Sequence, residues 1–192
     1  MGFLFEDHRT RYPYGHRMLS ILALLPLLTL LVLGGCAMQE PPQVKLDHAN
    51  VLPLAMNSAF AFRKKTQFLN DPKTFITSGP PNEAISFERL YYMWPATTSL
   101  DKDELKGNYF NFFWWNHGSP ADVTIRLEYR QANLGNFVMA REKSYTSAKG
   151  SIGTRFSIIG DDYLENGRVT NWRCILIVDN KIVALTQSYL WK

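Results

Sequence analysis

Cysteine is nearly absent from the 192-residue chain, which carries only Cys36 and Cys174. Two thiols exclude a disulfide-dense scaffold and any four-cysteine zinc site. Histidine is scarce as well: there are four, and neither His48 nor His117 has a second histidine at i+2 or i+4 to form a zinc motif. Phosphate-cradling glycine motifs are missing, since neither G-x-G-x-x-G nor G-x-x-x-x-G-K occurs, and this weighs against nucleotide binding. No G-x-S-x-G occurs either, so Ser58, Ser119 and Ser188 stand in no recognisable nucleophile context, and no catalytic residue is assigned. Charge is close to balanced. A formal +4 is too small an excess to suggest a nucleic-acid partner.

What remains is an ordinary foldable composition, 46% hydrophobic and 20% charged, with an unusual start. Residues 18–33 read MLSILALLPLLTLLVL, sixteen positions without a charge, preceded by Arg9, Arg11, His16 and Arg17. A basic n-region followed by an apolar h-region is the export-signal pattern. The run is shorter than the about 20 residues that cross a bilayer core, and Pro26 interrupts it, so export is favoured over permanent spanning. Met18 is an alternative start that leaves the h-region intact.

The four residues that follow are Leu33-Gly34-Gly35-Cys36. They resemble the bacterial lipoprotein signal, whose lipobox ends in two small residues and a cysteine. The resemblance implies diacylglycerol in thioether linkage to Cys36, cleavage before it, and acylation of the freed amine, typically with palmitate. A plain signal peptide or a buried cysteine is the blander alternative. Ala37 stands where an Asp commonly signals inner-membrane retention in that family, so the resemblance favours the outer membrane, facing the periplasm. Removing residues 1–35 takes away three arginines and two acids, leaving 18 basic against 15 acidic side chains, or +3. Cys174 then has no thiol partner within the chain.

The domain plan expected is a signal peptide over 1–35, a lipidated flexible tether over 36–50, an ambiguous linker over 51–84, and a β domain over 85–192. The tether AMQEPPQVKLDHAN is polar and proline-bearing. Residues 51–69 fit neither helix nor strand period cleanly; a short helix near 55–68 is slightly favoured. Residues 70–84 hold three prolines and a glycine and read as loop. Beyond them come short alternating runs: Ile85 to Met93, Tyr109 to Trp115, Val123 to Tyr129, Phe137 to Tyr145, Gly153 to Ile159, Val169 to Val178 and Lys181 to Trp191. These predict about seven antiparallel strands in an all-β, two-sheet sandwich. Asp179-Asn180 predicts a type I′ hairpin with Leu176 opposite Val183 and Cys174 opposite Leu185. The strand count, the Trp172-x-Cys174 strand and the terminal hairpin make residues 85–192 resemble immunoglobulin and fibronectin-III domains in architecture.

The aromatic run NYFNFFWWNH, Asn108 to His117, is the most informative stretch for binding. As a strand it turns Phe110, Phe112 and Trp114 to one side and Tyr109, Phe113 and Trp115 to the other, and one core cannot bury both rows. Either residues 51–69 cover the second row, or Tyr109, Phe113, Trp114 and Trp115 serve a partner protein or stack on carbohydrate. Asp161, Asp162 and Glu165 form an acidic loop that suits Ca²⁺ or a hydrolase carboxylate pair, or simple solvation of a turn. Cys174 falls on the expected core face, where burial makes a thiol inert. Arg63-Lys64-Lys65 is a basic cluster read as solvated surface, with anionic headgroups or an acidic partner as the sharper alternative. Together these features predict a non-enzymatic, lipid-anchored envelope module that binds or scaffolds another envelope component. A carbohydrate-binding module and an acidic-loop hydrolase are the alternatives.

Overall fold

Residues 40–46, 48–71 and 83–191 are described in the computed structural model; the leader and Cys36 lie outside them. The described chain is mostly β. Six strands form one antiparallel sheet: β1 (Val44–Leu46), β2 (Phe60–Asn70), β3 (Gly107–Gln131), β4 (Met139–Ile159), β5 (Val169–Val178) and β6 (Lys181–Gln187). The hydrogen-bonded order is β1-β4-β3-β5-β6, with β2 also paired to β3. Three short helices interrupt the strands: α1 (Glu83–Met93), α2 (Ser99–Glu104) and α3 (Asp161–Asn166).

Two of the expected turns are bends within strands. Tyr109–Trp115 and Val123–Tyr129 belong to one 25-residue strand, β3, and Phe137–Tyr145 and Gly153–Ile159 fall largely in one 21-residue strand, β4. The register of this ribbon shifts between Asn116 and Val123. There the buried Asn116 side chain replaces ladder bonds, donating to the carbonyls of Ser119 (2.7 Å) and Ala148 (2.9 Å) and accepting from Gly118 N–H. Gly118 and Pro120 read as a chain reversal in sequence, but the backbone only kinks and keeps its direction.

The kink divides the sheet into two arms. β2 pairs with the first half of β3, and β5 with the second half. The inward rows of the two arms meet: Phe112 lies 5.3 Å from Trp172 and Trp114 lies 5.6 Å from Tyr145, ring centre to ring centre. Phe110, Phe112, Trp114, Ile125, Leu127, Tyr129 and Phe156 are fully buried between them. Residues 53–57 run parallel to β6, with Ile182 N–H donating to Pro53 C=O and Ala55 N–H to Ile182 C=O. The same stretch then continues into β2 and joins β6 to the first arm.

Residues 55–68, for which a short helix is the slight preference, are therefore mainly strand. A bulge between Phe62 and Lys64 explains why no period fits. Before it Phe60 and Phe62 face the core opposite Asn116 and Trp114; after it the inward positions become Lys65 and Gln67, opposite Phe112 and Phe110. The run from Ile85 to Met93, expected as a strand, is α1. Its apolar residues Phe87, Leu90, Tyr91 and Trp94 recur at i, i+3, i+4 and i+7, whereas the strand parity skips Leu90.

The terminal hairpin forms at Asp179 (φ 49°) and Asn180 (φ 56°), the positive values a type I′ turn requires. A register shift past Ile177 moves the expected partners by one, so Leu176 faces Ala184 and Cys174 faces Thr186. Residues 40–46, expected within the tether, lie along β4. Glu40 accepts from Lys143 Nζ (2.9 Å), Gln43 exchanges two hydrogen bonds with the Ser157 backbone, and β1 pairs with Ala140–Glu142.

Candidate functional site

The outward row of the first arm carries Tyr109, Asn111, Phe113 and Trp115, as strand alternation dictates. Trp114 belongs to the opposite row. It is fully buried, with its indole N–H donating to Thr154 Oγ1 at 2.9 Å, and presents nothing to a ligand. Tyr109 faces outward but is covered by α1: Tyr92 stacks on it at 4.2 Å, and its hydroxyl donates to Leu105 C=O. Burial, reinforced by the neighbouring Tyr92 phenol, pushes the Tyr109 hydroxyl up to about 12.

Phe113 and Trp115 remain on the surface. Phe113 is 41% exposed and packs on Gly153, where a Cβ would stand 3.3 Å from its ring. The Arg63 guanidinium lies 4.8 Å from the centre of the Trp115 ring, and His117 packs against the same indole. Within residues 51–69, β2 pairs beside β3, edge to edge, and it is the Arg63 side chain that reaches over this row at Trp115. Of the four predicted binding residues, two thus share an accessible face.

Helix α1 extends that face. Tyr92, on its body side, stacks on both Tyr109 and Phe68, and its hydroxyl accepts from Asn111 Nδ2 at 3.2 Å. The opposite side exposes Phe87 (72%), Leu90 (69%), Tyr91 (58%) and Trp94 (80%). Sequence reading treats this segment as a strand and misses the stripe; the i, i+3, i+4, i+7 spacing was the available signal.

Asp161, Asp162 and Glu165 sit on α3, and only Asp162 is drawn inward. Its carboxylate takes Lys45 Nζ at 2.6 Å and pairs with Arg141, so it clamps α3 to β1 and β4. Asp161 and Glu165 are exposed. Among the described residues, no group of three or more metal-ligating His, Cys, Asp or Glu converges. Cys174 is fully buried, and burial followed by the charge of Glu128 raises its thiol well above the ordinary range.

A groove of about 550 Å³ lies on the outward face of the second arm, bounded by Leu52, Glu128, Arg130, Phe137, Arg173 and Trp191. Beneath it Glu128 (4% exposed) receives Arg173 at 3.0 Å and lies 3.8 Å from Arg126, whose guanidinium also binds Glu142 and the Asn50 carbonyl. Thr124, Arg126, Glu128 and Arg130 alternate with the inward residues of β3, and residues 48–52 lie along this outward row, where Arg126 and Glu128 form a buried ion network.

The chain matches no family model, and no curated protein or solved structure matches it.

Proposed function

We propose that the chain is a lipid-anchored, non-enzymatic module of the bacterial cell envelope, held at the outer membrane by acylated Cys36 and facing the periplasm. It binds or scaffolds another envelope component. The observation that carries the reading is the sequence of the leader: a basic start, sixteen uncharged residues, then Leu33-Gly34-Gly35-Cys36. At about 0.8 kcal/mol per buried methylene, one acyl chain holds a protein marginally and two or more hold it stably.

The anchor is short. Four Cα steps separate Cys36 from Glu40, about 14 Å at full extension, and Glu40 is already bonded to Lys143 and to the Arg155 backbone N–H. Residues 40–46, expected within the tether, thus belong to the described body. Confinement this close to the bilayer raises the effective concentration of the body for neighbours on the same membrane.

A two-layer reading of the body rests on the Phe112–Trp172 and Trp114–Tyr145 contacts between arms. The likeness to immunoglobulin and fibronectin-III domains keeps its Trp172-x-Cys174 strand and terminal hairpin. The unbroken β3 and β4 depart from it.

Carbohydrate stacking on Trp115 and Phe113 is the second reading, favoured by their outward placement. A hydrolase reading has Asp162 already committed to Lys45 and Arg141. Palmitate labelling tests the anchor. The full chain should take up label and the Cys36→Ala variant should not; label persisting in the variant would overturn the reading. A glycan array probed with the native protein and with Trp115→Ala separates sugar binding from protein scaffolding.

A further inference from the structure

Helix α1 is two-sided in an unusual sense: both sides are aromatic. With 3.6 residues per turn, Phe87, Leu90, Tyr91 and Trp94 lie on one side and Tyr92 on the other. Tyr92 is held by the sheet through Tyr109, Phe68 and Asn111. The outer stripe is 58–80% exposed at every position, and its Tyr91 ring packs edge-on against Tyr92 at 5.4 Å. Leu100, in α2, is 68% exposed as well. An exposed apolar surface of this kind marks an interaction site.

Chain length argues for its occupant. Asn111 links two neighbours on the outward face of the first arm: it donates to Tyr92 Oη and accepts from Arg155 Nε at 3.3 Å. The Arg155 backbone N–H in turn donates to Glu40, which lines a hollow with Asn111 and Phe113. The stripe and the point where the chain leaves for Cys36 are therefore on one face, a few side chains apart. From Glu40, about 14 Å of chain reaches Cys36. That gap is too narrow for a folded partner, since a 100-residue domain with a radius of gyration of about 13 Å is more than twice that distance across. It admits the headgroup layer.

We propose that the Phe87, Leu90, Tyr91 and Trp94 side of α1 lies in the headgroup layer of the bilayer that carries the Cys36 acyl chains, making a second, non-covalent contact beside the anchor. This rests on the lipidation reading above. Trp and Tyr suit that depth because their rings are apolar with a polar edge. Charge decides the lipid. Between Glu83 and Glu104 there are five acids against Arg89 and Lys102, so the helices are repelled by an anionic surface and the contact is with zwitterionic phospholipid.

Tryptophan fluorescence of the full lipidated protein, reconstituted into phosphatidylethanolamine–phosphatidylcholine vesicles with bromine-labelled acyl chains, tests this. Acyl mass is measured on the same sample. Emission should be quenched, and Trp94→Phe should lose the larger part of that quenching while Trp114 and Trp172, sealed in the core, stay bright. A Phe87→Ser/Tyr91→Ser variant that keeps Trp94 should lose quenching too. Acylated Cys36 with unquenched Trp94 overturns the membrane contact and leaves the anchor standing. A bare Cys36 thiol overturns the anchor, and quenching by added vesicles then decides the contact: present supports it, absent overturns it. A photo-crosslinker at Tyr91 that captures protein rather than lipid overturns it as well.

Discussion

Tyr92 of α1 stacks on Tyr109 of β3 with ring centres 4.2 Å apart and an interplanar angle of 30°. Phe68 of β2 stacks on Tyr92 in turn, at 5.1 Å. This triple stack is the main hold of the sheet on the helix that carries the exposed stripe. Aromatic pairs contribute about 0.5–1.5 kcal/mol each beyond the area they bury. Tyr92→Ala should therefore cost α1 on the order of 2 kcal/mol of local stability. In native-state hydrogen exchange, α1 amides should lose protection while β3 and β4 amides keep theirs. Equal loss in the strands would show that the stack supports the sheet and not only the helix.

Asn116 carries the bend that folds the sheet over. It is buried, and its Ala variant strips partners from the Ser119 and Ala148 carbonyls and from Gly118 N–H. An unsatisfied buried polar group costs about 1–3 kcal/mol. Asn116→Ala should thus lower unfolding free energy by on the order of 3 kcal/mol in urea titration, after partial rescue by water. A loss under 0.5 kcal/mol, about the size of a surface substitution, would mean the kink is set by Gly118 and Pro120 instead.

These two sites also mark where sequence reading stops. The hairpin at Asp179-Asn180 was legible because two positive-φ residues between β-rich runs leave little choice. The β character of the body was legible from the alternation in Val123–Tyr129. The kink was not, because Asn116, Gly118 and Pro120 have the composition of a turn, and it is the pairing of β3 with β4 on both sides, Asn116 with Gly150 and Val123 with Tyr145, that shows the chain going straight on. β2 was hidden by a bulge that reverses its inward parity. The candidate surface was half legible: Phe113 and Trp115 face outward as alternation requires, but Tyr109 is covered by a helix whose Ile85, Phe87, Tyr91 and Met93 also share strand parity, so that the better helical fit including Leu90 and Trp94 went unread.

Glu128 offers a test of the second arm. It is 4% exposed and faces Arg173 and Arg126. Removing one member of a buried ion network leaves charge without compensation and costs about 3–5 kcal/mol. Arg126 keeps Glu142, so Glu128→Gln should fall at or below the lower end, near 3 kcal/mol by thermal or urea unfolding. Glu128→Gln with Arg173→Met should recover part of the loss, because the unpaired guanidinium goes with it. No recovery in the double variant would show that the groove depends on Glu128 through packing alone.

Alkaline pH should destabilise the protein in two stages, and the sign follows from burial. The Cys174 thiol is raised well above its ordinary value by burial, and the Tyr109, Tyr129, Tyr145 and Tyr163 hydroxyls are raised for the same first reason. In each case the unfolded chain gives up its proton at a lower pH than the folded one. Stability from these groups is therefore complete below the unfolded values and falls as pH rises past them, from about 8.5 for the thiol and from about 10 for the phenols. Urea midpoints measured from pH 7 to 11 should decline from about pH 8.5 and more steeply above about pH 10. Cys174→Ala should remove the first decline and leave the second, whatever the variant costs at neutral pH. A first decline that survives in Cys174→Ala would assign it to some other group and leave the buried thiol without a part in it.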